Sequence, residues 1–162
     1  MKVFTVSHQN RIVNGDIDLA SSKSESNRAL IINALCEGES KLSNLANARD
    51  TKTMQKLLSE DPAILDVLDA GTTMRFLTAY SAVRGIKKTL TGSQRMQERP
   101  IKLLVDALAE IGVKVTYQSI EGYPPFVIDG FEYNGNNKIE ISGEVSSQYI
   151  SALLMVAPTL PE

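Results

Sequence analysis

The chain contains one cysteine, one histidine and no tryptophan among its 162 residues. A single cysteine excludes an internal disulfide, and one histidine beside it leaves no set of His and Cys ligands for a zinc site. The 17 basic and 19 acidic side chains give a net charge of −2, so the chain lacks the positive excess that holds nucleic-acid phosphates. These scarcities exclude disulfide-stapled and zinc-binding modules, and they argue against a nucleic-acid partner.

Long hydrophobic runs are missing as well. The apolar runs are far shorter than the ~18 residues of a membrane span, and the N-terminal MKVFTV has no apolar secretory core. We therefore expect a cytoplasmic protein with no membrane partner, no metal and no cofactor, whose partners are small anionic or neutral molecules.

The motifs of common catalytic sites are absent too. The chain has no G-x-x-x-x-G-K-[ST], no G-x-G-x-x-G and no G-x-S-x-G. His8 lies in a strand-like run and gives a Ser-His-Asp triad little to build on. Cys36 falls in an apolar helical pattern, where an inert packed thiol is expected rather than a nucleophile.

What the chain does have is an internal repeat. The repeat predicts two units with the same order of elements, followed by the start of a third. The matches are Arg28 with Arg75, Gly38 with Gly85 and Lys41 with Lys88 at an offset of 47, and Lys56 with Lys102 at an offset of 46.

Each copy opens on a Ser-, Thr- or Gly-rich turn and continues into a helix that is apolar nearly all round. Such a helix is expected to be buried on every side and to end at the matched glycine. Short strands are predicted over 40–45 and 87–91. The copy closes with an amphipathic helix, whose apolar face in the second copy comprises Ile101, Leu104, Val105, Leu108 and Ile111.

A third copy begins after further strand-like runs at 113–117, 126–128 and 138–141. Ser146, Ser147 and Gln148 open its apolar helix, predicted over 149–157. The chain stops at Glu162 before a partner helix appears, so we expect a truncated fragment. The uncovered apolar face of the third helix favours self-association.

Basic residues cluster at the helix openings, which is the main functional signal. Lys23 and Arg28 flank the first opening, and Arg75 follows the second. A Ser or Thr before a helix is by itself an ordinary N-cap, but a cation in a first turn opposes the helix dipole and needs a compensating reason. If the three helices lie side by side, their free N–H groups converge on a site for phosphate or carboxylate. Arg95 and Arg99, in the loop before the second amphipathic helix, are further candidates.

Four motifs resemble the N-terminal part of the 5-enolpyruvylshikimate-3-phosphate (EPSP) synthase family. They are SKSESNRA at 22–29, DAGTTMR at 69–75, LTGSQRMQERPI at 90–101 and VSSQY at 145–149. The resemblance implies transfer of the enolpyruvyl group of phosphoenolpyruvate to the 5-hydroxyl of shikimate 3-phosphate, with release of phosphate, on the route to chorismate and the aromatic amino acids.

The family resemblance also implies an α/β fold of two similar domains, each made of three βαβαββ units around parallel buried helices. Residues 1–20 would then belong with a second domain that is missing here. Residues 21–162 would form an incomplete first domain, with units at about 21–68 and 69–142 and the start of a third at 143–162.

Site roles are implied by the same resemblance. The shikimate 3-phosphate ligands would be Lys23, Ser24, Arg28, Ser146, Ser147 and Gln148. The phosphoenolpyruvate ligands would be Lys23, Gly71, Arg95 and Gln148, with Arg75 and Arg99 in support. Lys23 is the one catalytic candidate, because the family's acid–base carboxylates lie in the second domain, and this chain alone is expected to be inactive. Asp69 and Phe76 depart from the family's usual asparagine and proline, which puts the shape of the phosphoenolpyruvate pocket in question.

Two alternatives stay open. A sister family transfers the same group to a UDP-sugar, but it uses a cysteine in a mobile loop, whereas Cys36 lies in a helical pattern. A non-catalytic module that binds phosphate or another anion would also explain the basic helix openings.

Overall fold

The fold is described from a computed structural model that covers residues 3–5, 7, 12, 14–16, 19–36, 40–144 and 146–161. None of the helices in these ranges has the length and hydropathy needed to cross a membrane. His8 and Gly38, two residues singled out by the sequence, lie outside the described residues.

The helices and strands follow one another along the chain in a mixed order. The elements are α1 (Lys23–Leu35), α2 (Arg49–Glu60), β1 (Ile64–Asp66), α3 (Gly71–Val83), β2 (Lys88–Thr91), α4 (Gln94–Gln97), α5 (Lys102–Ala109), β3 (Val113–Tyr117), β4 (Phe126–Phe131), α6 (Ser147–Val156) and a short 3-10 turn (Ala157–Thr159).

The strands form one four-stranded sheet in the order β1-β2-β4-β3. β1 and β2 are parallel, with α3 as the crossover, while β4 is antiparallel to both of its neighbours. Leu65 pairs with Leu90, which pairs with Phe126, and all three side chains are buried. The run from β1 to β4 is therefore one βαβαββ unit, as expected, although its first strand precedes the expected boundary at residue 69.

The second copy folds largely as its pattern predicts. The strands expected at 87–91, 113–117 and 126–128 are present, and β4 extends three residues further. Gly85 follows α3 with a φ of +62°, the left-handed conformation that a glycine after a helix supplies. The five residues predicted as the apolar face around α5 are all buried: Ile101, Leu104, Val105, Leu108 and Ile111.

The strands expected at 40–45 and 138–141 are wrong. At the first site Asn44 has a φ of +54°, and the N–H of Ala46 donates to Ser26 Oγ at 2.9 Å instead of to a neighbouring strand. At the second, the N–H of Lys138 donates to Asn136 Oδ1 at 3.1 Å within a turn. The run 138–141 alternates polar and apolar residues, whereas in 40–45 the two leucines are three positions apart. A strand also needs a free sheet edge beside it.

The first helix is not buried on every side, which corrects the expectation drawn from its apolar pattern. α1 packs on α2, α3 and α6 through Leu30 and Ile31, while Ile32 keeps 49% of its surface exposed. Cys36 is an exposed free thiol at the C-cap of α1 and not a packed one. α3, in contrast, is buried around most of its circumference because the sheet covers the side that the helices leave free.

The repeat holds at the arginines but not at the lysines. Arg28 is the sixth residue of α1 and Arg75 the fifth of α3, so the two occupy equivalent turns. Lys88 is buried in β2, whereas its match, Lys41, is exposed in a loop; the pair Lys56 and Lys102 lies in the middle of α2 and at the first residue of α5.

Candidate functional site

The N-terminal turns of α1, α3 and α6 meet at one end of the helix layer. Arg28 of α1 donates from Nη2 to Ser151 Oγ of α6 at 3.4 Å. Its guanidinium also lies 6.0 Å from the ring centroid of Phe76 in α3. Arg28 is the sixth residue of α1, Ser151 the fifth of α6 and Phe76 the sixth of α3. Because residues at the same depth in their helices lie close together, the three helices begin at the same end of the layer. The convergence of helix openings predicted from the sequence is present.

Arg75 ties α3 to α6 in the same region. Its Nη1 donates to the carbonyl of Gly71 at 2.9 Å and to Gln148 Oε1 at 3.2 Å. The guanidinium lies 4.9 Å from the ring centroid of Tyr149, whose hydroxyl donates to the carbonyl of Pro100 at 2.7 Å. Tyr149 therefore connects α6 to the segment that carries Arg99, a role that its apolar helical pattern did not reveal.

Serine side chains cap the N-termini of α1 and α6, but no side chain caps α3. Ser22 Oγ accepts from the N–H of Glu25, and Ser146 Oγ accepts from the N–H of Gln148, both at 3.3 Å. These are ordinary serine N-caps, the alternative that the sequence already favoured for a single opening. α3 has Ala70 at its N-cap and no side-chain cap, so no cap side chain accepts from the N–H groups of its first turn.

Two guanidinium groups lie against the uncapped opening of α3. A Cβ placed on Gly71 would stand 2.7 Å from Arg99 Nη1 and 2.8 Å from Arg75 Nη1, so a side chain at this position would displace the two guanidinium groups. Two cations at the positive end of a helix repel each other and the dipole, and an anion offsets that cost. The geometry therefore favours anion binding at Gly71.

Lys23 forms a salt bridge with Asp50 of α2, a residue that the sequence did not single out. Its Nζ lies 3.0 Å from Asp50 Oδ2, with 48% of the lysine and 26% of the aspartate side chain exposed. Thr73 in the first turn of α3 donates to the Asp50 carbonyl at 3.3 Å. Asp50 supplies the compensation that a lysine at a helix N-terminus needs. No spacing rule links positions 23 and 50, because the contact arises only when α2 packs on α1.

Arg95 lines a small cavity of about 160 Å³ together with Asp69, Met96 and Arg99. The cavity lies between the loops that follow the parallel strands β1 and β2, the edge at which ligands of parallel sheets commonly bind. The N–H of Ser93 donates to the carbonyl of Leu68 at 3.1 Å and holds the two loops together.

The remaining candidates lie at the openings without direct contact to this cavity. Ser24 is exposed in the first turn of α1, and its carbonyl accepts from Arg28 Nη1 at 3.2 Å. Ser146 and Ser147 are exposed at the start of α6. The described residues contain no group of three His, Cys, Asp or Glu side chains placed to hold a metal ion.

Cys36 is remote from all of these groups. It follows the last residue of α1, whereas the candidate site lies at the first turn of that helix. Thirteen helical residues correspond to about 20 Å, so its thiol stands at the opposite end of the helix layer. This placement weighs against a UDP-sugar transferase that relies on a loop cysteine.

Comparisons with known proteins agree with these motifs. A family model described as EPSP synthase (3-phosphoshikimate 1-carboxyvinyltransferase) matches residues 7–60 and 58–162. The 3-phosphoshikimate 1-carboxyvinyltransferase of Bacteroides fragilis strain YCH46 is 53% identical over 149 residues, which cover 91% of this chain and 36% of that protein. Its counterpart from Sulfurovum sp. strain NBC37-1 is 41% identical over 174 residues, which cover 91% and 40%.

Solved structures support the fold. An EPSP synthase from Acinetobacter baumannii matches with a TM-score of 0.75 at 19% sequence identity, over 87% of this chain and 38% of that one. At 19% sequence identity this match shows a shared fold and nothing further. The chain spans 36% to 40% of the length of the two relatives named above.

Proposed function

Because the chain belongs to the EPSP synthase family, we propose that it forms the shikimate 3-phosphate side of an enolpyruvyl-transfer site. In this reaction the 5-hydroxyl oxygen of shikimate 3-phosphate bonds to C2 of phosphoenolpyruvate, and the bond between C2 and the phosphate oxygen breaks. Phosphate leaves, and the proton of the hydroxyl is released with it in the overall balance. The substrates are small phosphorylated molecules.

The observation that carries the proposal is the joined opening of three helices. Arg28 bridges α1 to α6, and Arg75 bridges α3 to α6 through Gln148, so cations and free N–H groups face one place. A charge-assisted hydrogen bond to a bound phosphate contributes about 1.5–3 kcal/mol, and each helix end adds roughly 0.3–2 kcal/mol. Several such contacts suffice to hold a phosphorylated ligand.

We assign the two substrates to adjacent parts of this surface. Shikimate 3-phosphate would bind where α1 meets α6, and phosphoenolpyruvate where α3 faces the Arg95 loop. Lys23 and Gln148 would lie between the two ligands and contact both. The proposed shikimate 3-phosphate ligands are Lys23, Ser24, Arg28, Ser146, Ser147 and Gln148, and the phosphoenolpyruvate ligands are Lys23, Gly71, Arg95 and Gln148.

We expect this chain by itself to bind without turnover. Acid–base catalysis needs proton-transfer groups within hydrogen-bond reach of the reacting atoms, and the family resemblance assigns those carboxylates to a second domain. Lys23 would contribute charge stabilisation near the transferred group. The free thiol of Cys36 suits a reducing compartment, and we propose the cytoplasm as the location.

Calorimetric titration with shikimate 3-phosphate tests the proposal. Arg28→Ala should weaken binding at least tenfold, because it removes a charge-assisted contact. Arg84→Ala is the matched control: it removes the same charge from the far end of α3, where Arg84 lies 5.5 Å from the Tyr80 ring centroid. Thermal melts would confirm that both variants fold. Equal affinity in the two variants, or no binding by the parent chain, would refute the assignment.

A further inference from the structure

The Arg95 cavity contains an acid where an anion site would be expected to exclude one. Asp69 lines the cavity beside Arg95 and Arg99, yet it forms no salt bridge with either arginine. Its Oδ1 instead accepts a hydrogen bond from Ser93 Oγ. Both arginines are exposed and remain available to a ligand.

Asp69 is held in this position by the loop after β2. Ser93 donates its hydroxyl proton to Asp69 and accepts from the N–H of Met96 at 3.4 Å, so one serine both caps α4 and fixes the carboxylate. The loop also packs closely on its surroundings, because a Cβ on Gly92 would stand 2.5 Å from the Leu68 carbonyl and 2.8 Å from Met96 Cγ. The hydrogen bond from Ser93 therefore holds the Asp69 carboxylate in the cavity wall.

We propose that Asp69 is a built-in counter-anion that limits the affinity of the Arg95–Arg99 cavity for its anionic ligand. In the empty cavity its charge offsets the repulsion between the two arginines and the positive end of α3. When a phosphate group enters, the carboxylate stays in place and repels it. Binding is thereby weaker, and release of phosphate faster, than two unopposed arginines would allow.

This inference deepens the proposed function and rests on it only for the identity of the ligand as the phosphate of phosphoenolpyruvate. The probes are inorganic phosphate and phosphoenolpyruvate, titrated into the full 162-residue chain and followed by NMR, which measures weak binding. Asp69→Asn removes the charge and keeps an oxygen that can accept from Ser93. It should bind both probes about two- to fivefold more tightly than the parent, and the difference should shrink at high salt.

Two control variants separate charge from position. Glu98→Gln makes the same charge change at the C-cap of α4, outside the cavity lining, and should change affinity little. Ser93→Ala releases the carboxylate but keeps its charge, and should not reproduce the gain. Equal affinity in Asp69→Asn and parent, no binding by Asp69→Asn, or an equal gain in either control would overturn the proposal.

The outcomes also distinguish this inference from the proposed function. A gain in Asp69→Asn without any binding of shikimate 3-phosphate by the parent would support the counter-anion and refute the substrate assignment. Shikimate 3-phosphate binding that depends on Arg28, with no gain in Asp69→Asn, would do the reverse.

Discussion

α1 and α3 carry matching arginines in matching turns, but their surroundings differ. α3 lies between the sheet and the other helices, and Phe76 and Leu77 each keep only 1% of their surface exposed. α1 packs mainly on other helices, without a sheet beside it among the described residues, and leaves Ile32 in solvent. The turn that carries the arginine is therefore repeated, while the layer that packs against the helix is not. An apolar pattern identifies the residues able to be buried, but neighbouring elements decide how many sides of a helix are covered.

Truncation of one core residue in each helix should give the largest contrast. Leu77→Ala in α3 should lower the free energy of unfolding by about 2–5 kcal/mol, because the cavity that it leaves is fully enclosed. Ile32→Ala in α1 should cost less than about 1 kcal/mol, because half of the side chain is already in water. Urea denaturation of both variants would measure the difference. Similar losses would show that α1 is as deeply buried as α3.

The matched lysines give a second, smaller contrast. Lys88 is almost fully buried, and its Nζ donates to the carbonyls of Asp61 and Pro62 at 2.8 and 2.9 Å and lies 2.8 Å from Asp61 Oδ1. Its ammonium group thus caps the C-terminal end of α2. Lys88→Ala should destabilise the chain by about 2 kcal/mol, whereas Lys41→Ala, in an exposed loop, should have little effect. Thermal melts that rank the two variants equally would contradict this.

The third helix extends the comparison to an uncovered apolar face. A cleft of about 320 Å³ separates α6 from the segment 136–141 and contains Ile139, Ile141 and Leu153, while Leu154 is 66% exposed. We predict that the chain binds hydrophobic dyes and self-associates through this face. Leu154→Ser should reduce both effects. Light scattering that finds a strict monomer without dye binding would contradict them.

The smallest effect is expected in the sheet that covers α3. Burial raises the pKa of the Tyr117 phenol to about 12, and its hydroxyl has no hydrogen-bond partner among the described residues. The pKa in the folded chain exceeds the unfolded value near 10, so the folded chain holds the phenol proton more tightly. The free energy of unfolding therefore keeps its full value below pH 10 and falls as the pH rises through 12. Tyr117→Phe should remove that loss and leave stability at neutral pH unchanged or slightly higher. Absorbance titration should show one tyrosine that ionises late, and its persistence in Tyr117→Phe would exclude this assignment.

Local patterns predicted the elements whose partners were near in sequence. The apolar face of α5, the strand at 113–117 and the glycine cap at Gly85 follow from periodicity and backbone conformation, and all three are confirmed. The pairs that build the site are long-range. Lys23 with Asp50 and Arg75 with Tyr149 arise from helix packing, which leaves no trace in spacing.

The central claim is that the first turns of α1, α3 and α6 form one anion site. Backbone N–H correlation spectra recorded during titration with shikimate 3-phosphate test it most directly, because every helix turn is observed separately. We predict that the largest shifts fall on Ser24, Gly71, Ser147 and Gln148, with little change in the last turns of the same helices. Shifts confined to the apolar cleft along α6, or spread evenly over the chain, would contradict the claim.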